Sequence, residues 1–140
     1  MFIAHDHEKM ISLLQEFSII VEGKNDKSAL EKLGIQKIYT ISGKTIEKFT
    51  SELPKDEYVI LTDFDREGEL KKQRIYRFFE NNKIKYNPEL RLKFKELFKV
   101  VKIEELNKIS KIMEDVQNGK NSSIYNKILN RSRFYRRRFS

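Results

Sequence analysis

The chain has 140 residues, no cysteine, 39% hydrophobic and 36% charged residues, and a formal net charge of +8. That length suits one domain with a single core. The lack of cysteine excludes a disulfide framework and thiolate metal sites, and no apolar run is long enough for a transmembrane helix. The N-terminus lacks the basic-then-apolar pattern of a signal peptide, so the expected location is the cytoplasm.

The charge is unevenly placed. No acid follows Asp115, whereas Lys120, Lys127, Arg131, Arg133, Arg136, Arg137 and Arg138 do, so the tail carries +7 of the +8. The preceding part is nearly balanced, with 22 bases against 21 acids. A balanced body with a basic tail points to a polyanionic partner such as nucleic acid. Tyr125, Phe134, Tyr135 and Phe139 interleave with those arginines, which suits stacking on bases as well as contact with phosphates.

In chain order, Asp6–Phe17 reads as a first helix with Met10, Leu13, Leu14 and Phe17 on one face. His5 and His7 at its start have no third ligand nearby and are expected to face solvent. Ser18–Val21 reads as a first strand, followed by Glu22-Gly23-Lys24-Asn25-Asp26, where Asn25 or Asp26 can cap a helix over Lys27–Leu33 that Gly34 ends. Lys37–Thr40 reads as a second strand, Ser42-Gly43 as a turn, and Thr45–Leu53 as a short helix closed by Pro54. Tyr58–Thr62 reads as a third strand. Glu67–Asn82 is the longest helix, with Leu70, Ile75, Phe78 and Phe79 as its buried stripe. Lys83–Tyr86 reads as a short fourth strand. Leu90, Phe94, Leu97 and Phe98 mark another helix, Val100–Ile103 a strand or connector, and Ile109, Ile112, Met113 and Val116 a helix ending near Gly119. Ile124, Tyr125, Ile128 and Leu129 suit a last amphipathic turn or two. The alternation of strands and helices predicts an α/β fold with a four-stranded parallel sheet flanked by helices, and a helical C-terminal extension. The expected divisions are an N-terminal helix at 1–17, a core at 18–86, a helical extension at 87–119 and a basic tail at 120–140.

Three carboxylates fall at strand ends: Glu22 after the first strand, Asp63 and Asp65 after the third. In a 2-1-3-4 sheet they converge at the switch point, where ligands of open α/β sheets gather. Converging carboxylates repel unless a cation or a proton compensates. Mg2+ or Mn2+ suits oxygen ligands and can clamp phosphate oxygens during phosphodiester chemistry. Glu22, alone on its strand, is the candidate for proton transfer. Gly23, Gly43 and Gly68 leave room for a phosphate backbone, Lys24 and Arg66 add positive charge, and Glu67 and Glu69 complement the helix dipole or join the site. Asp26 reads as a cap rather than a ligand.

These residues resemble the Toprim domain, shared by type IA topoisomerases, bacterial primases, small maturation nucleases and overcoming-lysogeny-type nucleases. Ile19-Ile20-Val21-Glu22-Gly23-Lys24-Asn25-Asp26 resembles the first Toprim motif. Asp63-Phe64-Asp65-Arg66-Glu67-Gly68-Glu69 resembles the second, with Phe64 where proline is commoner. The resemblance spans about Ser18–Tyr86 and implies a Rossmann-like parallel sheet with magnesium-dependent chemistry on nucleic-acid phosphodiesters. It implies Glu22 as general acid/base and Asp63 and Asp65 as metal ligands. The chain has no room for the extra domains of a topoisomerase or a primase. It looks like a small stand-alone Toprim protein, its first half similar to the maturase that trims precursor 5S ribosomal RNA.

The function expected on this reading is a metal-dependent nuclease acting on RNA or DNA, with Arg131, Arg133, Arg136, Arg137 and Arg138 as nucleic-acid contacts. The alternative is a non-catalytic nucleic-acid-binding or ribosome-associated module. A receiver-like signalling domain needs an acidic pair at the first strand and one aspartate at the third, the reverse of this arrangement.

Overall fold

A computed structural model describes residues 5–108. Three parallel strands, β1 (Ser18–Val21), β2 (Ile38–Thr40) and β3 (Tyr58–Ile60), form a sheet in the order β2-β1-β3. β1 is central: Ile20 pairs with Tyr39 on one side and with Ile60 on the other. Both faces are covered, which is why β1 and β3 are apolar at successive positions rather than alternating. Ile19, Val21, Val59 and Leu61 point into a core with α1 (His5–Leu14), α2 (Lys24–Lys32) and α5 (Pro88–Phe98). Ile20, Tyr58 and Ile60 point the other way, toward α3 (Ile46–Ser51) and α4 (Arg66–Asn81), where Phe49, Ile75 and Phe79 meet them. A 3-10 helix at Ile103–Glu105 follows α5. It brings Ile103 and Leu106, both fully buried, onto the first core beside α2.

Among the described residues the sheet has three strands, not four. Lys83–Tyr86 contributes one bridge, Tyr58 to Tyr86, with Tyr58 N–H donating to Lys85 O and Asn87 N–H to Tyr58 O. Two local constraints stop a ladder from growing. Lys83 is in the left-handed region (φ 55°), and Ile84 N–H turns back to Phe79 O at the end of α4. On the other side, Asn87 already caps α5 through Leu90 N–H, and Pro88 has no N–H to give. Too few extended residues remain between the two helices.

Two smaller expectations also change. Leu70 lies on the solvent side of α4, 52% exposed, so the buried stripe runs through Gly68, Ile75 and Phe79. His7 is buried rather than solvent-facing: Nε2 lies 2.8 Å from Leu97 O, and the ring sits edge-on to Phe98. α1 packs on α5, and the histidine is part of that contact. The helix expected from Ile109 to Gly119, the turn around Ile124–Leu129 and the arginine-rich tail lie outside the described residues.

Candidate functional site

The carboxyl ends of β1 and β3 are neighbours, so the residues that leave them meet. Glu22 leaves β1 and accepts the Asp63 N–H through Oε2 at 3.3 Å. Its other oxygen, Oε1, takes a 2.6 Å ion pair from Lys71 Nζ on α4. Asp63, three residues past the end of β3, accepts the Ile103 N–H through Oδ1 at 2.9 Å. Asp26, buried in the first turn of α2, accepts the Gly23 N–H through Oδ2 at 3.1 Å. The helix starts at Lys24, three residues earlier than expected, so Gly23 is its N-cap and Asp26, inside the first turn, bonds back to the Gly23 N–H. The same side chain belongs to the acidic group: one carboxylate oxygen each from Glu22, Asp26 and Asp63 lie within 4.8 Å of one another.

Asp65 is placed differently from Asp63. It is the N-cap of α4, and its Oδ1 accepts the Gly68 N–H at 2.8 Å. It lines the same cleft but is not a member of the close group. The cleft has a volume of about 650 Å³ and is also bordered by Gly23, Lys24, Glu67, Lys102 and Glu104. Gly43 lies outside it, in an adjoining hollow with Lys44, Thr45 and Arg74 that shares Glu22 and Lys71 as its wall. Arg66 and Glu67 are exposed at the start of α4. A further hollow of about 700 Å³ between α1 and α5 has a mostly apolar lining and lies away from the carboxylates.

The proximity of these groups perturbs their protonation. Burial pushes the Asp63 carboxyl up to about 7, and the neighbouring Glu22 and Asp26 add to the rise against the Ile103 N–H. Burial also works to raise Glu22, but hydrogen bonds from Asp63 and Lys71 outweigh it and hold Glu22 below the ordinary carboxylate range. Of the two carboxyls, Asp63 is the one that holds a proton more readily. Burial raises Asp26 as well, against the Gly23 N–H. A site built this way is short of positive charge. Its donors are all hard oxygens that a divalent cation of the Mg2+ or Mn2+ kind would fit, with displacement of the Asp63 proton.

The motif glycine has a steric reason. A Cβ on Gly68 would fall 1.9 Å from Asp63 O, so α4 can start this close to β3 only with glycine there. Thr62 Oγ1 donates to Gly68 O at 2.8 Å across the same contact. Gly43 has φ 78° after Ser42 at φ 47°, a left-handed conformation that glycine adopts without strain where the chain reverses.

Sequence reasoning missed Lys71 and Arg91. Lys71 lies one helical turn beyond Glu67, a spacing that places it above the cleft and could have been used to find it. Arg91, on α5, has no such signal, because only the packing of α5 brings it to the end of β3.

A parallel sheet with acidic residues at adjacent strand mouths, a glycine-tight helix start and an all-oxygen ligand group define a Toprim-type domain. The Toprim domain family profile matches residues 17–97, more than half of the chain, and the chain belongs to that family. Its relatives are UPF0292 proteins, small stand-alone Toprim-type proteins. The UPF0292 protein of Methanocaldococcus jannaschii is 37% identical over 95 residues, covering 60% of this chain and 74% of that protein. The UPF0292 protein of Pyrococcus furiosus is 42% identical over 73 residues, covering 49% of this chain and 56% of that one. A solved structure of an Aquifex aeolicus protein superposes with a TM-score of 0.60 at 29% identity, over 69% of this chain and 94% of that chain. Toprim domains bind divalent metals and are associated with nucleic acids, and this chain carries an acidic cluster of the matching kind. Among the described residues, no helix is long and apolar enough to cross a membrane.

Proposed function

We propose that this protein is a divalent-metal-dependent nuclease that hydrolyses phosphodiester bonds of RNA or DNA. The observation that carries the proposal is the convergence of Glu22, Asp26 and Asp63 at the mouths of β1 and β3 inside the Toprim-matching segment. Asp63 and Asp26 would hold Mg2+ or Mn2+ beside Glu22, and Asp65 borders the same cleft from the cap of α4. A bound cation would supply charge stabilisation at phosphate oxygens.

The protein's own groups supply the rest. Glu22, kept ionised by hydrogen bonds from Asp63 and Lys71, is the base that takes a proton from an attacking water at neutral pH. Lys71 and Lys24 place positive charge beside the cleft, where a phosphate would enter. The arginines of the C-terminal tail, Arg131, Arg133, Arg136, Arg137 and Arg138, add sequence-independent attraction to the backbone.

The test is cleavage of labelled RNA and DNA panels with Mg2+ or Mn2+, comparing the native chain with Glu22→Gln and Asp63→Asn. Metal-dependent cleavage lost in both variants is the expected result. Cleavage that survives both substitutions would remove the proposed site. A second reading, a nucleic-acid-binding module without turnover, draws on the Lys71–Glu22 pair, which already neutralises one carboxylate without any ion. Tight binding with no turnover on any substrate is its signature.

A further inference from the structure

Asp63 is held by two groups that neither Toprim motif contains. Arg91 is 3% exposed. Its Nη1 donates to Ile60 O at 3.0 Å and to Thr62 O at 2.8 Å, and its Nη2 donates to Asp63 O at 3.0 Å and to Glu69 Oε1 at 2.7 Å. The guanidinium lies 4.5 Å from the centre of the Phe64 ring. Three segments meet at that one side chain: the end of β3, the loop that carries Asp63, and the first turn of α4 through Glu69. A planar fork with several donors can satisfy all of these at once, and a lysine ammonium cannot.

The second grip is the backbone after α5. Phe64 N–H donates to Val101 O at 2.7 Å, and Ile103 N–H donates to Asp63 Oδ1 at 2.9 Å. Ile103 is the first residue of the 3-10 helix, so its N–H has no partner within that helix. Asp63 satisfies it and is oriented in return. Ile103 also lies beyond residue 97, where the family match ends.

We propose that Arg91 and the Ile103 amide are positioning groups that aim the Asp63 carboxylate into the acidic cleft, so that the segment from Pro88 to Glu105 is part of the site rather than an appendage to it. The inference rests on the metal-binding reading above for its consequence, and on geometry alone for the positioning.

Proline at Ile103 gives a sharp test. It deletes the N–H at a first helical position, where proline is tolerated. Ile103→Ala is the packing control, since it keeps the N–H and loses the buried side chain. Arg91→Lys keeps the charge beside Glu69 and loses the fork. Two readouts apply to the full chain: the Mn2+ dissociation constant, and, in metal-free protein at pH 8, the Asp63 side-chain 13Cγ resonance. Ile103→Pro and Arg91→Lys are expected to weaken Mn2+ binding by about tenfold or more and to move the Asp63 resonance. Ile103→Ala is expected to lower the melting temperature while leaving Mn2+ affinity within about twofold, because it spares the amide that orients the ligand. Equal effects of Ile103→Pro and Ile103→Ala on both readouts, or an Asp63 resonance unmoved by Arg91→Lys, would overturn the proposal. A native chain that binds no Mn2+ refutes the metal reading instead, and the carbon resonance still decides whether these groups position Asp63.

Discussion

Replacing Gly68 by alanine sets two effects against each other, and the structure says which wins. Helix propensity favours alanine over glycine by up to about 1 kcal/mol. Against it, the new Cβ would lie 1.9 Å from Asp63 O, 2.5 Å from its carbonyl carbon and 2.9 Å from its Cα. Carbon and oxygen approach no closer than about 3.3 Å even in favourable C–H···O contacts, so the backbones must separate by roughly 1.4 Å. Neither side yields easily. Arg91 and Ile103 hold Asp63, and the Asp65 cap and the Thr62 hydroxyl hold Gly68. Overpacking of this kind costs about 1–3 kcal/mol, with the upper end fitting a clash against backbone rather than a flexible side chain. Loss of the Asp65 cap adds about 1 kcal/mol. The net expectation for Gly68→Ala is a loss of about 2–3 kcal/mol in urea unfolding with chelator present, accompanied by weaker Mn2+ binding because Asp63 is displaced. A variant as stable as the native chain, within roughly 0.5 kcal/mol, or more stable than it, would refute the steric account.

The remaining predictions concern charge. Because the Asp63 pKa is raised in the folded state, its contribution favours folding most below the ordinary aspartate value of 3.8 and is lost as pH rises through about 7. Asp63→Asn should therefore raise the melting temperature of the metal-free protein at pH 8 and have little effect near pH 4, as thermal melts in chelator can show. The same proton competes with the cation, so Mn2+ affinity should rise about tenfold per pH unit up to roughly pH 7 and then level off; a flat titration curve between pH 5 and 7 would contradict a proton held on Asp63. Lys71→Met removes a hydrogen bond and a positive charge that hold Glu22 down, so the acid limb of the cleavage profile should move to higher pH, which a pH–rate series with Lys71→Arg as control would measure. Truncation after Gly119 removes the seven tail cations. It should weaken nucleic-acid binding and flatten its salt dependence, and an unchanged salt slope would reject the tail as the electrostatic footprint.

Much of the fold could be read from local chemistry. Apolar β1 and β3 announced a sheet buried on both faces, and the helices followed from their periodicity and caps. Thr45 accepts from Lys48 N–H and Asn87 from Leu90 N–H, as cap chemistry requires. The fourth strand failed because its pattern is satisfied equally by a short connector, and only the two flanking helix ends settle how many residues stay extended. Leu70 shows the same limit: its spacing suits a buried stripe, but among the described residues no second element covers that side of α4.

The site divides in the same way. Glu22 and Asp63 were legible as residues at the ends of the first and third strands, and the strand order β2-β1-β3 then makes those ends neighbours. The sequence by itself therefore determined the parallel α/β class, the two acidic motifs at strand ends and the separation of a balanced body from a basic tail. All three depend on neighbours along the chain. Only the tertiary structure decided that Asp26 joins the carboxylate group while Asp65 caps α4, and that Lys71 neutralises Glu22. It also decided that the Ile103 amide, 40 residues beyond Asp63, bonds that carboxylate, and that Arg91, 28 residues beyond, bonds the backbone carbonyl of the same residue. Those outcomes turn on distances of a few ångströms between separate elements, which no spacing along the chain encodes.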